Sequence, residues 1–119
     1  MKVLMLIMET PEDFDHRTGG PAAQEYWKAW KSYGGAINDK IVGGNVLAPG
    51  DTAATLRVRG GERQIQDGPY ADSKEALGGY MIFEVENMEE ALELASTCPA
   101  AATGAVELRP IADMPEMPS

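Results

Sequence analysis

The apolar residues of this chain recur with two spacings, and each spacing predicts a different kind of element. A continuous or alternating apolar run is typical of a strand, whereas a spacing of about three to four residues is typical of a helix. The strand pattern covers residues 2–8, 42–47, 55–59, 63–66, 79–85 and 106–109. The helical pattern covers residues 21–33 and 88–97.

Residues that favour helix ends mark the limits of the two predicted helices. Pro21 suits a first helical turn, and Gly34-Gly35 predicts the end of that helix. Asn87, with Glu90 three residues later, is typical of the cap of the second helix. Residues 9–20 are polar and acidic and end in two glycines, so we expect a loop there.

A hairpin is predicted in the middle of the chain. Gly60-Gly61 separates two alternating runs and favours a two-residue turn with positive φ. This register places Leu56 opposite Ile65, so that both apolar side chains share one face. Further on, Asp72 and Glu75 have capping-box spacing and predict a short helical turn.

The order strand, helix, short strand, hairpin, strand, helix, strand indicates an α+β fold. It matches a ferredoxin-like domain, an antiparallel sheet with two helices on one face. The strands at 3–8 and 79–85 are apolar on both faces, yet two helices cover only one. We therefore expect a second copy of the chain to cover the other face, sheet against sheet, in a twofold homodimer.

Composition excludes several classes of function. The chain has 119 residues and a net charge of −9, so it repels phosphate backbones and is not expected to bind nucleic acid. No apolar run approaches the roughly 20 residues that span a bilayer, and the N-terminal run is too short for a secretory signal. These features predict a cytoplasmic protein without membrane association.

The sequence predicts neither a metal nor a cofactor. The paired glycines have no phosphate-loop or dinucleotide-binding spacing and are interpreted as turns. Cys98 is the only cysteine and follows a predicted helix, which favours a small buried hydrophobic residue over a nucleophile. His16 has Glu12, Asp13 and Asp15 nearby, but a solvated acidic loop explains this cluster better than a metal site.

The densest group of backbone-shaping residues runs from Gln66 to Tyr80, QDGPYADSKEALGGY. This segment, the later motifs MEEAL (88–92) and GAVELRP (104–110), and the opening strand resemble the DGPF branch of the YCII-related proteins. Tyr70 stands where that family usually has Phe. The similarity spans most of residues 2–111. We assign residues 1–111 to one YCII-related (DGPF) domain and residues 112–119 to a loose C-terminal tail.

The resemblance implies a ferredoxin-like fold that dimerises into an α/β barrel. Some YCII-related proteins use a histidine–aspartate pair, and one kind removes chloride from a chlorinated hydroxyquinol. The histidine of that pair lies early in the first helix, where Gln24 is the nearest match in this chain. Glutamine does not exchange a proton near neutral pH, so the acid–base chemistry of those relatives is not transferred.

Two groups of residues are candidates for a site. Asp67, in the Asp-Gly-Pro turn, has Tyr70, Lys74 and Tyr80 nearby and could act as a base or a ligand anchor. The alternative is a structural role, because an aspartate at such a position stabilises the turn through backbone hydrogen bonds. The second group alternates along strands and could form a charged pocket at the dimer interface, or cross-strand ion pairs: Arg57, Arg59, Glu84, Glu107 and Arg109.

Three functions stay open at this point. The first is a small-molecule-binding homodimer, for which the expected ligand contacts are Arg57, Asp67, Tyr70, Lys74, Tyr80, Glu84 and Arg109. The second is a lyase or isomerase, similar to a dehydrochlorinase, that acts on a small aromatic or enolisable substrate with Asp67 or Glu84 as acid–base group. The third is an interaction partner of an extracytoplasmic-function sigma factor, because some DGPF proteins are encoded beside one.

Overall fold

The computed structural model describes residues 1–114 and contains, over that part of the chain, six strands and four helices. The strands are β1 (Lys2–Glu9), β2 (Ile41–Val46), β3 (Ala54–Arg59), β4 (Glu62–Asp67), β5 (Ala76–Glu84) and β6 (Ala105–Pro110). The helices are α1 (Pro11–Asp15), α2 (Gly20–Ala36), α3 (Met88–Ser96) and α4 (Pro99–Thr103). Two short 3₁₀ turns, Asn38–Lys40 and Gly50–Thr52, precede β2 and β3.

Four strands form an antiparallel sheet in the order β2-β5-β1-β6. The two central strands, β1 and β5, are the ones whose sequences are apolar on both faces. The predicted α+β class with a ferredoxin-like antiparallel sheet is therefore confirmed. The long helices α2 and α3 pack on one face of this sheet, and α1 and α4 are short additions.

The core lies between the sheet and the two long helices. Val3, Met5 and Phe83 are fully buried on the helix side of the sheet. The Tyr33 hydroxyl, on α2, donates a hydrogen bond of 2.7 Å to the Leu94 carbonyl and so joins α2 to α3. Burial raises the pKa of Tyr33 well above its ordinary value, and this phenol stays a neutral donor. Cys98 is buried beside α3 as a free thiol, as the sequence predicts.

The opposite face of the sheet has no cover within the described residues. Leu4, Leu6 and Met8 of β1 alternate with the core residues and are only half-buried. In β5, Ile82 lies opposite Leu4 and Tyr80 lies opposite Leu6, so the apolar surface continues across both central strands. The two-sided apolar pattern is real, and its cover by a second copy stays a prediction.

The predicted loop over residues 9–20 is wrong in part. Strand β1 continues through Glu9, and α1 follows at once because Thr10 caps it. The Asp13 amide donates to Thr10 Oγ1 and the Thr10 amide donates to Asp13 Oδ2, each at 3.1 Å, which forms a capping box. The pattern Thr10-Pro11-Glu12-Asp13 carried this signal in the sequence.

The predicted end of the first long helix at Gly34-Gly35 is also wrong. Helix α2 continues through both glycines to Ala36. Tyr33 and Ile37, on either side of the glycines, are buried in the core. Their packing outweighs the low helix propensity of glycine, which costs only about 1 kcal/mol per residue.

The segment before β5 also differs from the expectation. Residues 71–75 form bends and no helix, so the helical turn predicted from Asp72 and Glu75 is wrong. The Ser73 hydroxyl donates to the Glu75 carbonyl, and this local bond competes with a helical one. Strand β5 starts at Ala76 and includes Gly78 and Gly79, which are therefore not turn residues.

The hairpin is confirmed in detail. Strands β3 and β4 pair with Leu56 opposite Ile65, and Gly60 and Gly61 have φ values of 57° and 79°. The two strands form a separate two-stranded sheet and do not extend the main one. Arg57 and Arg59 consequently lie outside the main sheet.

Within residues 1–114, no helix is both long enough and apolar enough to cross a membrane. The predicted tail, residues 112–119, is only partly covered by the structure. Residues 112–114 belong to neither a helix nor a strand. Residues 115–119 lie outside the described residues.

Candidate functional site

Three polar side chains from different elements meet at the carboxyl end of β1. Glu9 is the last residue of β1 and follows Ile7 on the helix-facing side of the sheet. Arg17 lies between α1 and α2, and Tyr26 lies in the second turn of α2. We call these three residues the Glu9 cluster.

The Glu9 carboxylate is buried and has a partner at each oxygen. Arg17 Nη2 donates to Glu9 Oε1 at 3.0 Å, and the Tyr26 hydroxyl donates to Glu9 Oε2. The side chains of Glu9 and Arg17 are only 4% and 9% exposed. A buried carboxylate is tolerated when it is both paired and hydrogen-bonded, and the Glu9 cluster meets both conditions.

The Arg17 guanidinium links three separate parts of the chain. Besides the bond to Glu9, it donates to the Leu47 carbonyl at 2.6 Å and to the Gly78 carbonyl at 2.9 Å. Its charged carbon lies 4.5 Å from the centre of the Phe14 ring, a cation–π distance. Arg17 thereby fixes the end of β1 against β5 and against the residue that follows β2.

Gly78 is required by this arrangement. A Cβ atom at Gly78 would lie 2.7 Å from Arg17 Nη2 and 2.8 Å from Glu9 Oε1. Only a residue without a side chain lets β5 pass this close to the ion pair. Gly78, near the end of the segment 66–80, therefore supports the Glu9 cluster, although it is far from Glu9 and Arg17 in sequence.

The Tyr26 phenol is held in its neutral form. The pKa of Tyr26 is raised to about 12, mainly by burial and also by the hydrogen bond to Glu9, while Arg17 partly opposes the shift. Near neutral pH this side chain is therefore a hydrogen-bond donor to Glu9. Its oxygen keeps the capacity to accept a further hydrogen bond.

Two cavities adjoin the Glu9 cluster, and Glu9, Tyr26 and Trp30 line both. We call the larger one, of about 840 Å³, the acidic cleft. It lies between α1, α2 and α4, and besides Tyr26 its charged and titratable lining residues are Glu9, Glu12, Asp13, His16, Glu25 and Lys74.

The smaller space, of about 280 Å³, is the aromatic cavity. It lies between α2 and the β2–β5 side of the sheet, with Trp27, Trp30 and Met81 among its lining residues. The helical spacing of the aromatic residues of α2 is typical of core positions, but among them only Tyr33 is fully buried, and Trp30 packs against the core from its edge. Trp27 is 38% exposed and Trp30 is half-buried, so their rings are available to a ligand.

Asp13 is the second buried carboxylate, and its role is structural. It caps α1 through Thr10 and also accepts a hydrogen bond of 2.9 Å from Thr103 Oγ1 on α4. The neighbouring His16 is 3.9 Å from Glu12, one helical turn away, at the exposed rim of the acidic cleft. Residues 1–114 contain no group of three or more histidine, cysteine, aspartate or glutamate side chains that could hold a metal ion.

The structure divides the residues expected from the sequence among three places. Asp67, Tyr70 and Arg57 lie at the base of the hairpin, where the Arg57 guanidinium is 5.7 Å from the Tyr70 ring centre. Asp67 and Tyr70 are exposed, and neither lines a cavity near the Glu9 cluster. Lys74 alone of the expected set lines the acidic cleft.

The remaining expected residues lie on the main sheet. Tyr80 is among the residues that line the aromatic cavity, but its side chain lies with Leu6 on the uncovered face, where its hydroxyl accepts a hydrogen bond of 2.9 Å from Asn45 Nδ2. Arg109 forms an exposed ion pair of 2.6 Å with Glu107 on the uncovered face. Glu84, at the end of β5, is 56% exposed and lies 3.6 Å from the N-terminal ammonium group.

Comparison with known proteins places this geometry in a family. Residues 1–115 match the sequence model of the YCII-related domain. The uncharacterized protein R00369 of Rhizobium meliloti (strain 1021) is 41% identical over 68 residues, which are 56% of this chain and 55% of that protein. The match thus spans about half the length of this curated relative.

Among solved structures, the fold is similar to 5-chloro-2-hydroxyhydroquinone dehydrochlorinase of Burkholderia phenoliruptrix AC1100, in complex with 2,5-dihydroxybenzoquinone. The TM-score is 0.54, with 94% of each chain covered and 19% sequence identity. At this identity the similarity supports the fold alone.

Sequence reasoning missed the Glu9 cluster. One signal was present, because Glu9 continues the alternation Val3, Met5, Ile7 and so falls on the buried side of β1. A carboxylate at a buried strand position needs a partner. The sequence did not indicate that Arg17 and Tyr26 supply it.

Proposed function

This chain belongs to the YCII-related family, and we propose that it is a DGPF-branch member that acts as a small-molecule-binding homodimer. Its ligand is a compact aromatic or enolisable compound with a hydroxyl group, bound against Glu9 and Tyr26. One observation carries the proposal: a buried, hydrogen-bonded carboxylate lies in the wall shared by two cavities. Sites that bind small molecules commonly combine apolar walls with a few fixed polar groups.

The aromatic cavity suits a single planar ring. Its volume of about 280 Å³ lies near the lower end of ligand pockets. Trp27 and Trp30 offer apolar ring faces, and aromatic pairs contribute about 0.5–1.5 kcal/mol beyond the area that they bury. A ligand larger than one ring would extend past Tyr26 into the acidic cleft.

Glu9 has hydrogen-bonding capacity left for such a ligand. An ionised carboxylate offers about four acceptor sites, and Arg17 and Tyr26 use one each. A ligand hydroxyl can donate to a remaining site. Arg17 lines neither cavity, so it serves as a positioning residue that fixes the carboxylate.

The uncovered face of the main sheet supports the homodimer. Its half-buried apolar residues Leu4, Leu6 and Ile82 form a continuous patch over the two central strands. Contiguous apolar patches of this kind are typical of protein interfaces. A twofold dimer would bury the same patch on both copies.

A lyase or isomerase is the second candidate function, favoured by the same carboxylate. Glu9 would take a proton from a carbon next to a carbonyl, and the electrons of that C–H bond would form an enolate. The enolate would then either regain the proton at another carbon or expel chloride from a chlorinated ring carbon. Gln24 is exposed and lines neither cavity, so a histidine-dependent route is not part of this proposal.

A thermal-shift screen with hydroxylated benzenes, their non-hydroxylated analogues and small enols tests the binding proposal. We expect hydroxylated rings to raise the Tm of the wild type, since a ligand at 100 times its Kd adds about 2.7 kcal/mol of stability. Glu9→Gln and Trp30→Ala should lose the shift, whereas Glu93→Gln, at an exposed site on α3, should keep it.

The outcome separates the two candidates. If no compound stabilises the wild type, the binding proposal is wrong. Chloride release from a chlorinated hydroxyhydroquinone, abolished by Glu9→Gln, would replace simple binding by the lyase function. Shifts that persist in both Glu9→Gln and Trp30→Ala would place the ligand elsewhere and contradict the proposed site.

A further inference from the structure

The β3–β4 hairpin has its apolar face on the outside. The register places Leu56, Val58 and Ile65 on one face, and these side chains are 55%, 54% and 58% exposed. The opposite face carries Thr55 and Arg57, which are half-buried. The usual arrangement, apolar side inward and polar side outward, is inverted here.

The orientation of the hairpin is fixed at its base through the polar face. Thr55 Oγ1 donates to the Gly68 carbonyl at 3.0 Å, and the Gly68 amide donates to the Ala53 carbonyl at 2.7 Å. The Arg57 guanidinium lies over the Tyr70 ring. Because these contacts hold the polar side, the apolar side faces away from its own chain.

The dimensions of the molecule fit a projecting arm. The radius of gyration is 16.6 Å, against about 13.5 Å for a compact domain of this length. An isolated two-stranded hairpin is only marginally stable in water, so this one needs a cover for its apolar face.

Charge favours a second copy of this chain as that cover. Residues 54–67 contain Arg57, Arg59 and Arg63 against Glu62 and Asp67, a net charge of +1, which leaves −10 on the other residues. The hairpin is therefore the basic element of an acidic chain. Its tip arginines, Arg59 and Arg63, would be attracted to the body of another copy.

The area that a stable dimer must bury also favours a second copy as the cover of the hairpin. Four strands about 4.8 Å apart and six residues long give a sheet face of roughly 19 by 20 Å, or about 400 Å². A standard interface buries about 800 Å² on each partner, so the uncovered sheet face alone is small. Two more strands add roughly 200 Å² of apolar surface on each copy.

We propose that the β3–β4 hairpin is a dimerisation arm whose apolar face, Leu56, Val58 and Ile65, packs on a second copy of this chain. The inference rests on the homodimer of the proposed function and names the element that completes its interface. In the twofold assembly each copy supplies one arm and receives the other.

Sedimentation equilibrium of the wild type and of Leu56→Gln/Ile65→Gln tests the arm. Glutamine is uncharged and both positions are exposed in the single chain, so the variant should fold. Circular dichroism checks its fold. We expect its dimer Kd to rise at least about 100-fold, because four apolar side chains leave each dimer interface. Leu92→Gln is the matched control: Leu92 is 56% exposed but lies on α3, and its Kd should stay within a few-fold.

Hydrogen exchange of the wild type gives a second measurement that needs no variant. Amides of residues 54–67 should exchange more slowly above the dimer Kd than below it. An unchanged Kd in the double variant, or equal exchange at both concentrations, would overturn the arm while the homodimer stands. A wild type that stays monomeric would contradict both the homodimer and the arm. The thermal-shift screen would still test ligand binding independently.

Discussion

Proteins usually bury apolar side chains and expose charged ones. The Glu9 cluster and the β3–β4 hairpin are two opposite exceptions to this rule. In the cluster, a carboxylate and a guanidinium lie inside the protein. In the hairpin, three large aliphatic side chains lie outside it. The Glu9 carboxylate is tolerated because Arg17 and Tyr26 each donate a hydrogen bond to it, whereas within residues 1–114 the three aliphatic side chains of the hairpin stay more than half exposed. Whether a side chain is buried thus depends on the partners that it finds. Substitutions in the cluster and in the hairpin test this difference between the two regions.

The largest effect is expected from removing one partner in the cluster. Arg17→Met would leave the Glu9 carboxylate buried without its counter-ion and without the bridge to Gly78. We expect a loss of about 3–5 kcal/mol in the free energy of unfolding, measured by urea denaturation. Adding Glu9→Gln should recover part of the loss, because the uncompensated charge is then absent. A loss below about 1 kcal/mol for Arg17→Met would contradict the burial of the Glu9 carboxylate against Arg17.

A smaller loss is expected at the glycine that borders the cluster. Gly78→Ala introduces a Cβ within 2.7 Å of Arg17 Nη2, so we expect overpacking to cost about 1–3 kcal/mol in urea denaturation. Gly34→Ala, on α2 with no atom within 4 Å of the added Cβ, is the matched control. It should stabilise the protein by about 0.5–1 kcal/mol. Equal effects at both glycines would contradict the close approach at Gly78.

The neutral Tyr26 phenol predicts a pH dependence. The pKa of Tyr26 is raised from 10.0 to about 12 in the folded state, so above pH 10 the phenol ionises more readily when the chain is unfolded. The contribution of Tyr26 to stability is therefore complete below pH 10 and is lost as the pH rises towards 12. Denaturation at a series of alkaline pH values should show a shallower decline for Tyr26→Phe than for the wild type. Parallel curves would mean that Tyr26 titrates normally.

The smallest effect on folding is expected in the hairpin. Ile65→Gln should change the free energy of unfolding of the single chain by no more than about 0.5 kcal/mol, because Ile65 is already exposed. Met5→Ala, in the core, should cost about 2–5 kcal/mol under the same conditions. Both are measured by urea denaturation below the dimer Kd. A large loss for Ile65→Gln would show that its own chain covers the hairpin.

The fold was largely predictable because its signals are local. Alternation, turn glycines and the Asn87 cap each act over a few residues, and the Asn87 side chain does accept from the Glu90 amide. In α2, a longer-range contact prevailed over a local signal. Helix α2 passes Gly34 because Tyr33 and Ile37 pack in the core.

The candidate site was predictable only in fragments. Lys74 lines the acidic cleft beside the Glu9 cluster, whereas Asp67, Tyr70 and Glu84 are exposed elsewhere and the Tyr80 side chain lies on the uncovered face of the sheet. The aromatic spacing of α2 looks the same whether the residues face a core or a cavity. Only the tertiary structure shows that Tyr33 is buried, whereas Trp30 lines the aromatic cavity.

By itself, the sequence determined the order of the strands and the two long helices, the hairpin register and the apolar character of both faces of β1, because backbone preferences and side-chain periodicity are properties of short segments. The tertiary structure alone decided that Glu9 meets Arg17 and Tyr26, that Gly78 makes room for them, and that the apolar face of the hairpin points outward. These features depend on residues distant in sequence, whose mutual distances and burial are set only when the sheet and the helices pack together.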